Sequence, residues 1–197
     1  MLDKFYPIVP DISWIKRLVP LGVKLIQLRC KNLSQEELFV QICEALTITQ
    51  TYGCQLIVND YWELALDAKA SYVHLGQEDL DQADTKALAK AGIKLGISTH
   101  NVQELERALA YTPDYIALGP IYFTKLKAMR FDPQGVEKLR DWKMRIGALP
   151  LVAIGGFTPQ RVQGAFDHGA DSVAVVTDII THPNPEEQTK LWISLTR

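Results

Sequence analysis

The chain has 197 residues, 47% hydrophobic and 22% charged, with a formal net charge of −2. That length and balance read as one soluble domain, 1–197, with room for a sizeable core, and the charge argues against nucleic acid as a partner. No apolar run approaches the roughly 18 residues of a membrane helix. The N-terminal Met1-Leu2-Asp3-Lys4 lacks the pattern of a signal peptide. Cys30, Cys43 and Cys54 are odd in number and without CxxC spacing, which reads as reduced thiols in a cytoplasmic protein.

In chain order, Phe5–Val9 reads as a first strand. Ser13 is placed to cap a short helix with Trp14, Ile15, Leu18 and Val19 on one face. Val23–Leu28 is a second strand, running into Arg29-Cys30-Lys31. Ser34 and Glu37 have capping-box spacing before Leu38, Ile42, Ala45 and Thr49 at helical period, and Tyr52-Gly53 closes that helix. Gln55–Val58 is the third strand and Tyr61–Ala68 a short helix. Tyr72–Leu75 is the fourth strand, followed by a helix from Asp84 to Lys90. Lys94–Ile97 is the fifth strand, and Asn101 caps a helix through Ala110 with Glu104 at box spacing. Tyr115–Leu118 is the sixth strand, broken by Gly119-Pro120 ahead of a polar loop from Tyr122 to Gln134. A helix over Gly135–Arg145 precedes the seventh strand, Leu151–Ile154. Thr158-Pro159 then starts a helix as N-cap and N1 proline. Ser172–Val175 is the eighth strand, and a helix over Glu186–Leu195 closes the chain.

Strands that read as continuously apolar are buried on both faces, as parallel strands with helical crossovers require. Eight such units predict an α/β fold, a single-domain (β/α)8 TIM barrel with parallel strands and outer helices. The chain is short against the roughly 250 residues typical of that fold. An open doubly wound sheet is the structural alternative.

Active sites of such barrels lie at the carboxyl ends of the strands. Those ends offer Gln27, Arg29 and Lys31; Asn59 and Asp60; His74, Gln77, Glu78 and Asp79; Ser98 and His100. Further round come Thr124, Lys125 and Lys127, then Gly155-Gly156, then Val176-Thr177. Carboxylates plus cations suit a polyphosphate bridged by magnesium, which takes hard oxygen ligands. Asp60 and Asp79, on neighbouring strand ends, are placed to share the cation. The glycine pair lets a second phosphate approach bare amides. Plainer readings stand beside these. Asp60 could cap the next helix, Gly155-Gly156 could be a tight turn only, and His74 could be a satisfied structural histidine.

Seven stretches, in order along nearly the whole chain, carry a resemblance. They are Gln27-Leu28-Arg29-Cys30-Lys31, Asn59-Asp60-Tyr61-Trp62, His74-Leu75-Gly76-Gln77-Glu78-Asp79, Gly96-Ile97-Ser98-Thr99-His100, Gly119-Pro120 through Thr124 and Lys127, Ala153-Ile154-Gly155-Gly156, and Ala174-Val175-Val176-Thr177. Together they resemble the thiamine phosphate synthase family. The resemblance implies a (β/α)8 transferase of thiamine biosynthesis. It would join 4-amino-5-hydroxymethyl-2-methylpyrimidine diphosphate to a thiazole phosphate and release pyrophosphate by dissociative loss of the diphosphate. It implies Asp60 and Asp79 as Mg2+ ligands. Contacts to the pyrimidine diphosphate fall on Gln27, Leu28, Arg29, Cys30, Lys31, Asn59, Ser98 and Lys127, with Arg29, Lys31, Ser98 and Lys127 in catalysis. The thiazole phosphate falls on Thr124, Lys125, Leu126, Gly156, Val176 and Thr177. The implied partners are small-molecule substrates, and a homo-oligomer is compatible with the sequence.

The chain departs from the family pattern in three places. Phe123 stands where a proline is usual, Leu126 where a second threonine is usual, and Thr177 where a serine is usual. Two other readings stand beside the synthase: a thiazole tautomerase-like isomerase, which shares the barrel, and a non-catalytic paralogue that binds thiamine phosphates, which Leu126 and Phe123 keep open. Asp60, Asp79, Lys31 and Lys127 favour the synthase, because an isomerase has no diphosphate to hold. The loop from Tyr122 to Gln134 is long and polar enough to act as a lid. A lost hydrogen bond is worth about 0.5–1.5 kcal/mol net. Leu126→Thr is therefore expected to lower the apparent KM for the thiazole phosphate a few-fold in steady-state kinetics, and an unchanged or higher KM would count against placing residue 126 there.

Overall fold

The computed structural model describes residues 2–124 and 131–197. Lys125, Leu126 and Lys127 of the expected site lie outside the described residues. Eight parallel strands close into a barrel in sequence order: β1 (Phe5–Val9), β2 (Leu25–Leu28), β3 (Gln55–Asn59), β4 (Tyr72–Leu75), β5 (Lys94–Thr99), β6 (Tyr115–Leu118), β7 (Leu151–Ile154) and β8 (Ser172–Val175). Pairing of β1 with β8, Phe5 opposite Val173, completes the circuit and excludes the open sheet. The helices of the described residues are α1 (Ile12–Leu18), α2 (Gln35–Thr51), α3 (Trp62–Asp67), α4 (Thr85–Lys90), α5 (Val102–Leu109), α6 (Glu137–Ile146), α7 (Val162–Asp167), α8 (Thr177–Ile180) and α9 (Pro185–Thr196).

Local chemistry explains most boundaries. At α2 the Glu37 amide donates to Ser34 Oγ at 3.2 Å, and the Ser34 amide donates to Glu37 Oε2 at 2.9 Å. This reciprocal box satisfies two orphan donors of the first turn. Leu38, Ile42, Ala45 and Thr49 then fall on the buried face. Elsewhere the sequence misleads by a few residues. The cap of α1 is Asp11, whose carboxylate accepts the Ser13 amide at 2.8 Å; Ser13 itself lies inside the helix. Asn101 caps α5, but Glu104 turns its carboxylate to the His100 amide at 2.8 Å and not to its own cap. Thr158-Pro159 opens a 3-10 turn, Pro159–Arg161, and α7 starts only at Val162. The short α8 is not among the sequence expectations.

Two apolar layers result. One lies between strands and helices and includes Leu28, Val58, Leu75, Ile97 and Val175. The other fills the lumen with Leu2, Tyr6, Ile8, Leu25, Ile57, Tyr115, Ala117, Val152 and Ala174. Alternation along each strand decides which residue enters which layer. It places Gln27, Asn59, His74 and Ser98 on the lumen side, at the strand end or one residue before it.

Gly96 is a packing requirement of this lumen. It lies opposite Tyr115 in the β5–β6 register. A β-carbon at position 96 would fall 2.0 Å from Cζ of that phenol ring. The ring crosses the gap and stacks on His74 with centroids 5.6 Å apart. Gly96→Ala is expected to cost about 3 kcal/mol through overpacking, and so to lower Tm by roughly 6–12 °C in a calorimetric melt.

Candidate active site

The carboxylate side of the mouth is built where β3 and β4 end together, with Asn59 opposite His74. Asp60 leaves β3 in the left-handed region, φ +66°, a conformation that aspartate tolerates better than most residues. Its amide donates to the His74 carbonyl at 2.9 Å, and its carbonyl accepts the Trp62 amide at 2.8 Å. The N-cap residue of α3 is Tyr61, with no side-chain capping bond. The Asp60 carboxyl is thus not spent on a cap and is directed elsewhere.

Asp79 approaches from β4. Gly76-Gln77-Glu78 leads into a 3-10 turn over Asp79–Asp81, and Asp79 Oδ2 accepts the Gly76 amide at 2.9 Å. Its carboxyl group comes within hydrogen-bonding reach of that of Asp60. Burial first, and then the charge of Asp79, push the Asp60 carboxyl up from 3.8 to about 6; the nearby Arg29 cation and a bond from Asn59 pull the other way. Among the described residues no three His, Cys, Asp or Glu side chains gather into a metal cluster. Two carboxyl groups are what this edge supplies.

A brace unforeseen from sequence holds the Asp79 turn. Gln77 Nε2 donates to the Ser98 carbonyl at 2.8 Å. Arg107, from α5, donates to the Gln77 carbonyl at 2.9 Å and to Asp81 at 2.5 Å. The Arg107 contribution had no local signal, because it joins residues about thirty positions apart.

His74 is buried and both of its ring nitrogens are bonded, Nδ1 to Tyr115 Oη and Nε2 to Ser98 Oγ, each at 2.7 Å. Burial and the Arg29 charge hold its pKa down to about 4, so the ring is neutral at physiological pH. Ser98 is half-buried at the mouth. Gln27 is buried and bonded to Tyr6 Oη at 2.6 Å. Arg29 is half-buried beside Asp60 and His74, and Lys31 is exposed. Leu28 and Cys30 differ from their neighbours in the motif. Their side chains turn outward into the layer beneath the helices, and Cys30 Sγ lies 3.6 Å from Gln41 Oε1. Burial pushes the Cys30 thiol up to about 11. Only the backbone of these two residues can face the mouth. His100 is engaged away from the carboxyl pair, with Nδ1 on Glu104 at 2.7 Å and its ring stacked on Phe131.

On the opposite side, Gly155 and Gly156 have φ of +104° and +67°. A β-carbon on Gly156 would fall 2.5 Å from the Phe123 carbonyl oxygen, and one on Gly155 would fall 2.7 Å from Pro120. The pair is therefore demanded both by backbone conformation and by the close passage of the chain after β6. The Tyr122 amide ties the two segments by donating to the Gly155 carbonyl at 3.0 Å. Thr124 and Val176-Thr177 are half-buried nearby in the fold, where β8, paired with β7, leads straight into α8. The first amides of a helix lack intrahelical acceptors, and here they belong to α8. The helix expected directly after the glycine pair starts later.

A family model described as thiamine monophosphate synthase matches residues 5–179. The chain belongs to this family. It is 53% identical to a thiamine-phosphate synthase of Rhizobium etli over 99% of the chain and 96% of that protein. It is 43% identical to one from Neisseria meningitidis over 98% of the chain and 94% of that protein. A solved thiamine phosphate pyrophosphorylase from Pyrococcus furiosus superposes with a TM-score of 0.84 at 25% identity, covering 98% of this chain and 95% of that one. Membership carries the synthase activity, a transferase reaction.

The raised Asp60 carboxyl has a signed consequence for stability. A group whose folded pKa, about 6, exceeds its ordinary value of 3.8 binds its proton more tightly in the fold. It costs nothing below the lower value and destabilises as pH rises through the higher one. After a discount for partial exposure, Asp60→Asn in protein free of divalent metal is expected to gain about 1–2 kcal/mol at neutral pH, roughly 2–8 °C in Tm. The gain should vanish as the melts are repeated toward pH 3.8.

Proposed function

We propose that the mouth joins a pyrimidine diphosphate to a thiazole phosphate by a dissociative substitution, with Mg2+ held by Asp60 and Asp79. The observation that carries this reading is the convergence of these two carboxyl groups beside Arg29. Two like charges in a half-buried site are unfavourable alone and become favourable around a divalent cation. The donor set fits, since magnesium is commonly held by one or two carboxylates together with substrate phosphates. When bound, the ion would neutralise negative charge on the diphosphate.

The chain's own residues supply the rest. Arg29 and Lys31 stabilise the leaving diphosphate, with Asn59 and Ser98 as neutral hydrogen-bonding groups and Lys127 as the further cation. Gln27, on the lumen side of β2, takes part in seating the pyrimidine, and Leu28 and Cys30 contribute through their backbone. Gly156, Val176 and Thr177, with Thr124, Lys125 and Leu126, seat the thiazole phosphate so that its ring nitrogen meets the methylene carbon as the diphosphate departs. Such a reaction needs little from a general base, and its acceleration comes from charge stabilisation and from positioning. The cytoplasm is the compartment we assign, on three cysteines that stand as free thiols. No helix of the described residues is long and apolar enough to cross a membrane.

One assay addresses the reading. The protein is incubated with both substrates with and without Mg2+, and thiamine phosphate and pyrophosphate are followed. Product should form only with the ion. Ligand binding without product in its presence would sink the proposal. Asp79→Asn keeps an oxygen to accept the Gly76 amide, so its fold and Tm should be retained while metal-dependent turnover drops at least about a hundredfold. Turnover with unchanged metal dependence would remove Asp79 from the ligand set.

A further inference from the structure

The lumen beneath the mouth holds a continuous file of hydrogen-bonded side chains drawn from five strands. Gln27 on β2 donates through Nε2 to Tyr6 Oη on β1 at 2.6 Å. Tyr6 Oη and Tyr115 Oη, on β6, are 3.0 Å apart. Tyr115 Oη is 2.7 Å from His74 Nδ1 on β4, and His74 Nε2 is 2.7 Å from Ser98 Oγ on β5. Gln27, Tyr6, Tyr115 and His74 are each at most 8% exposed. Ser98 is half-buried and is the member that reaches the mouth.

The file has a direction because its members have few protons. An amide nitrogen only donates, each phenol has one proton, and a neutral imidazole has one N–H and one bare nitrogen. With Gln27 Nε2 facing Tyr6, the Tyr6 oxygen is an acceptor and its own O–H donates to the Tyr115 oxygen. Tyr115 must then direct its own proton at His74 Nδ1. That leaves Nδ1 bare and puts the imidazole proton on Nε2, where it is donated to Ser98 Oγ. Ser98 is satisfied as an acceptor from below, and its own proton is available outward. Turning the Gln27 amide end for end would reverse every arrow, and Ser98 would then spend its proton on His74. An internal defect, with two donors or two acceptors facing, would leave a buried polar group unpaired, which is costly in a low-dielectric interior.

We propose that Tyr6, Tyr115 and His74 are positioning residues that hold His74 as its Nε2–H tautomer, so that the Ser98 hydroxyl proton is kept for an oxygen of the departing diphosphate. The second half rests on the diphosphate reading given above. No proton changes atoms in this scheme. Each stays on its own oxygen or nitrogen, and Ser98 donates a hydrogen bond to charge that grows as the carbon–oxygen bond breaks. Such a donor, oriented before the reaction, contributes without reorganising.

The chain direction is read without turnover. Protein labelled with 15N-histidine gives a long-range nitrogen–proton spectrum near neutral pH, and the His74 signals among the four histidines are assigned by their loss in His74→Gln. The expected pattern is a bare Nδ1 and a protonated Nε2. A proton on Nδ1, or on both nitrogens, overturns the proposal. In Tyr115→Phe the donor to Nδ1 is gone, and the signals should move toward a mixture of tautomers. Kinetically, Tyr115→Phe should lower kcat at least about tenfold with KM values changed less than about twofold. His74→Gln carries an N–H that can occupy the Nε2 position, and should retain far more kcat than His74→Leu. Equal losses in the two variants, both folded by circular dichroism, would reduce the file to packing and overturn it. If wild-type protein makes no thiamine phosphate at all, the diphosphate reading falls and takes the role of Ser98 with it, while the spectrum still decides the tautomer.

Discussion

A polar side chain that enters a closed barrel leaves water behind and must find its partner among the other residues that enter with it. Eight parallel strands leave no sheet edge, and among the described residues Gln27, Tyr6, Tyr115 and His74 bond one another and Ser98. The same closure that buries the apolar floor of Leu2, Ile8, Leu25 and Ile57 makes the polar layer above it all or nothing. The mouth rests on that layer. His74 accepts the Asp60 amide through its backbone while its ring supports Ser98, so one residue joins the carboxylate edge to the neutral one.

The two halves of the mouth are made by different means. The carboxylate half depends on turns: a left-handed Asp60 and a 3-10 turn at Asp79, braced by Gln77 and Arg107. It brings two carboxyl groups together, an arrangement that burial and like charge make unfavourable on its own. The other half depends on the absence of side chains, with Gly155 and Gly156 passing under the segment after β6. One half stores unfavourable electrostatics and the other keeps bare backbone.

Much of this was legible in the sequence. Eight short apolar runs broken by glycine, proline and capping residues gave the barrel, because strand period and cap chemistry are local. The meeting of Asp60 and Asp79 was legible because Asp60 directly follows β3, Asp79 lies one short turn past β4, and consecutive parallel strands end together. Less local features were hidden. The outward turn of Leu28 and Cys30 follows from alternation once the β2 register is known, but a motif read as a block conceals it. Nothing local in the sequence singles out Tyr6 or Tyr115, and only the closure of β1 onto β8 and the packing around the lumen bring their hydroxyls together. Arg107 reaches its partners across some thirty residues. The late start of α7 and the presence of α8 reflect how the chain leaves β7 and β8, where tertiary packing overrides a favourable Thr-Pro cap.

The contact between position 96 and the Tyr115 ring has a consequence for how such a lumen can change over time. A methyl group at 96 crowds the phenol and costs stability, while a smaller residue at 115 leaves room beside position 96. Substitution at these two positions is therefore ordered by cost: the glycine is replaced more cheaply once the ring has gone. Losing the ring first also removes the hydroxyl that bonds Tyr6 and His74, so the cheaper order breaks the buried file. The glycine is held in place by the ring, and the ring by its hydrogen bonds.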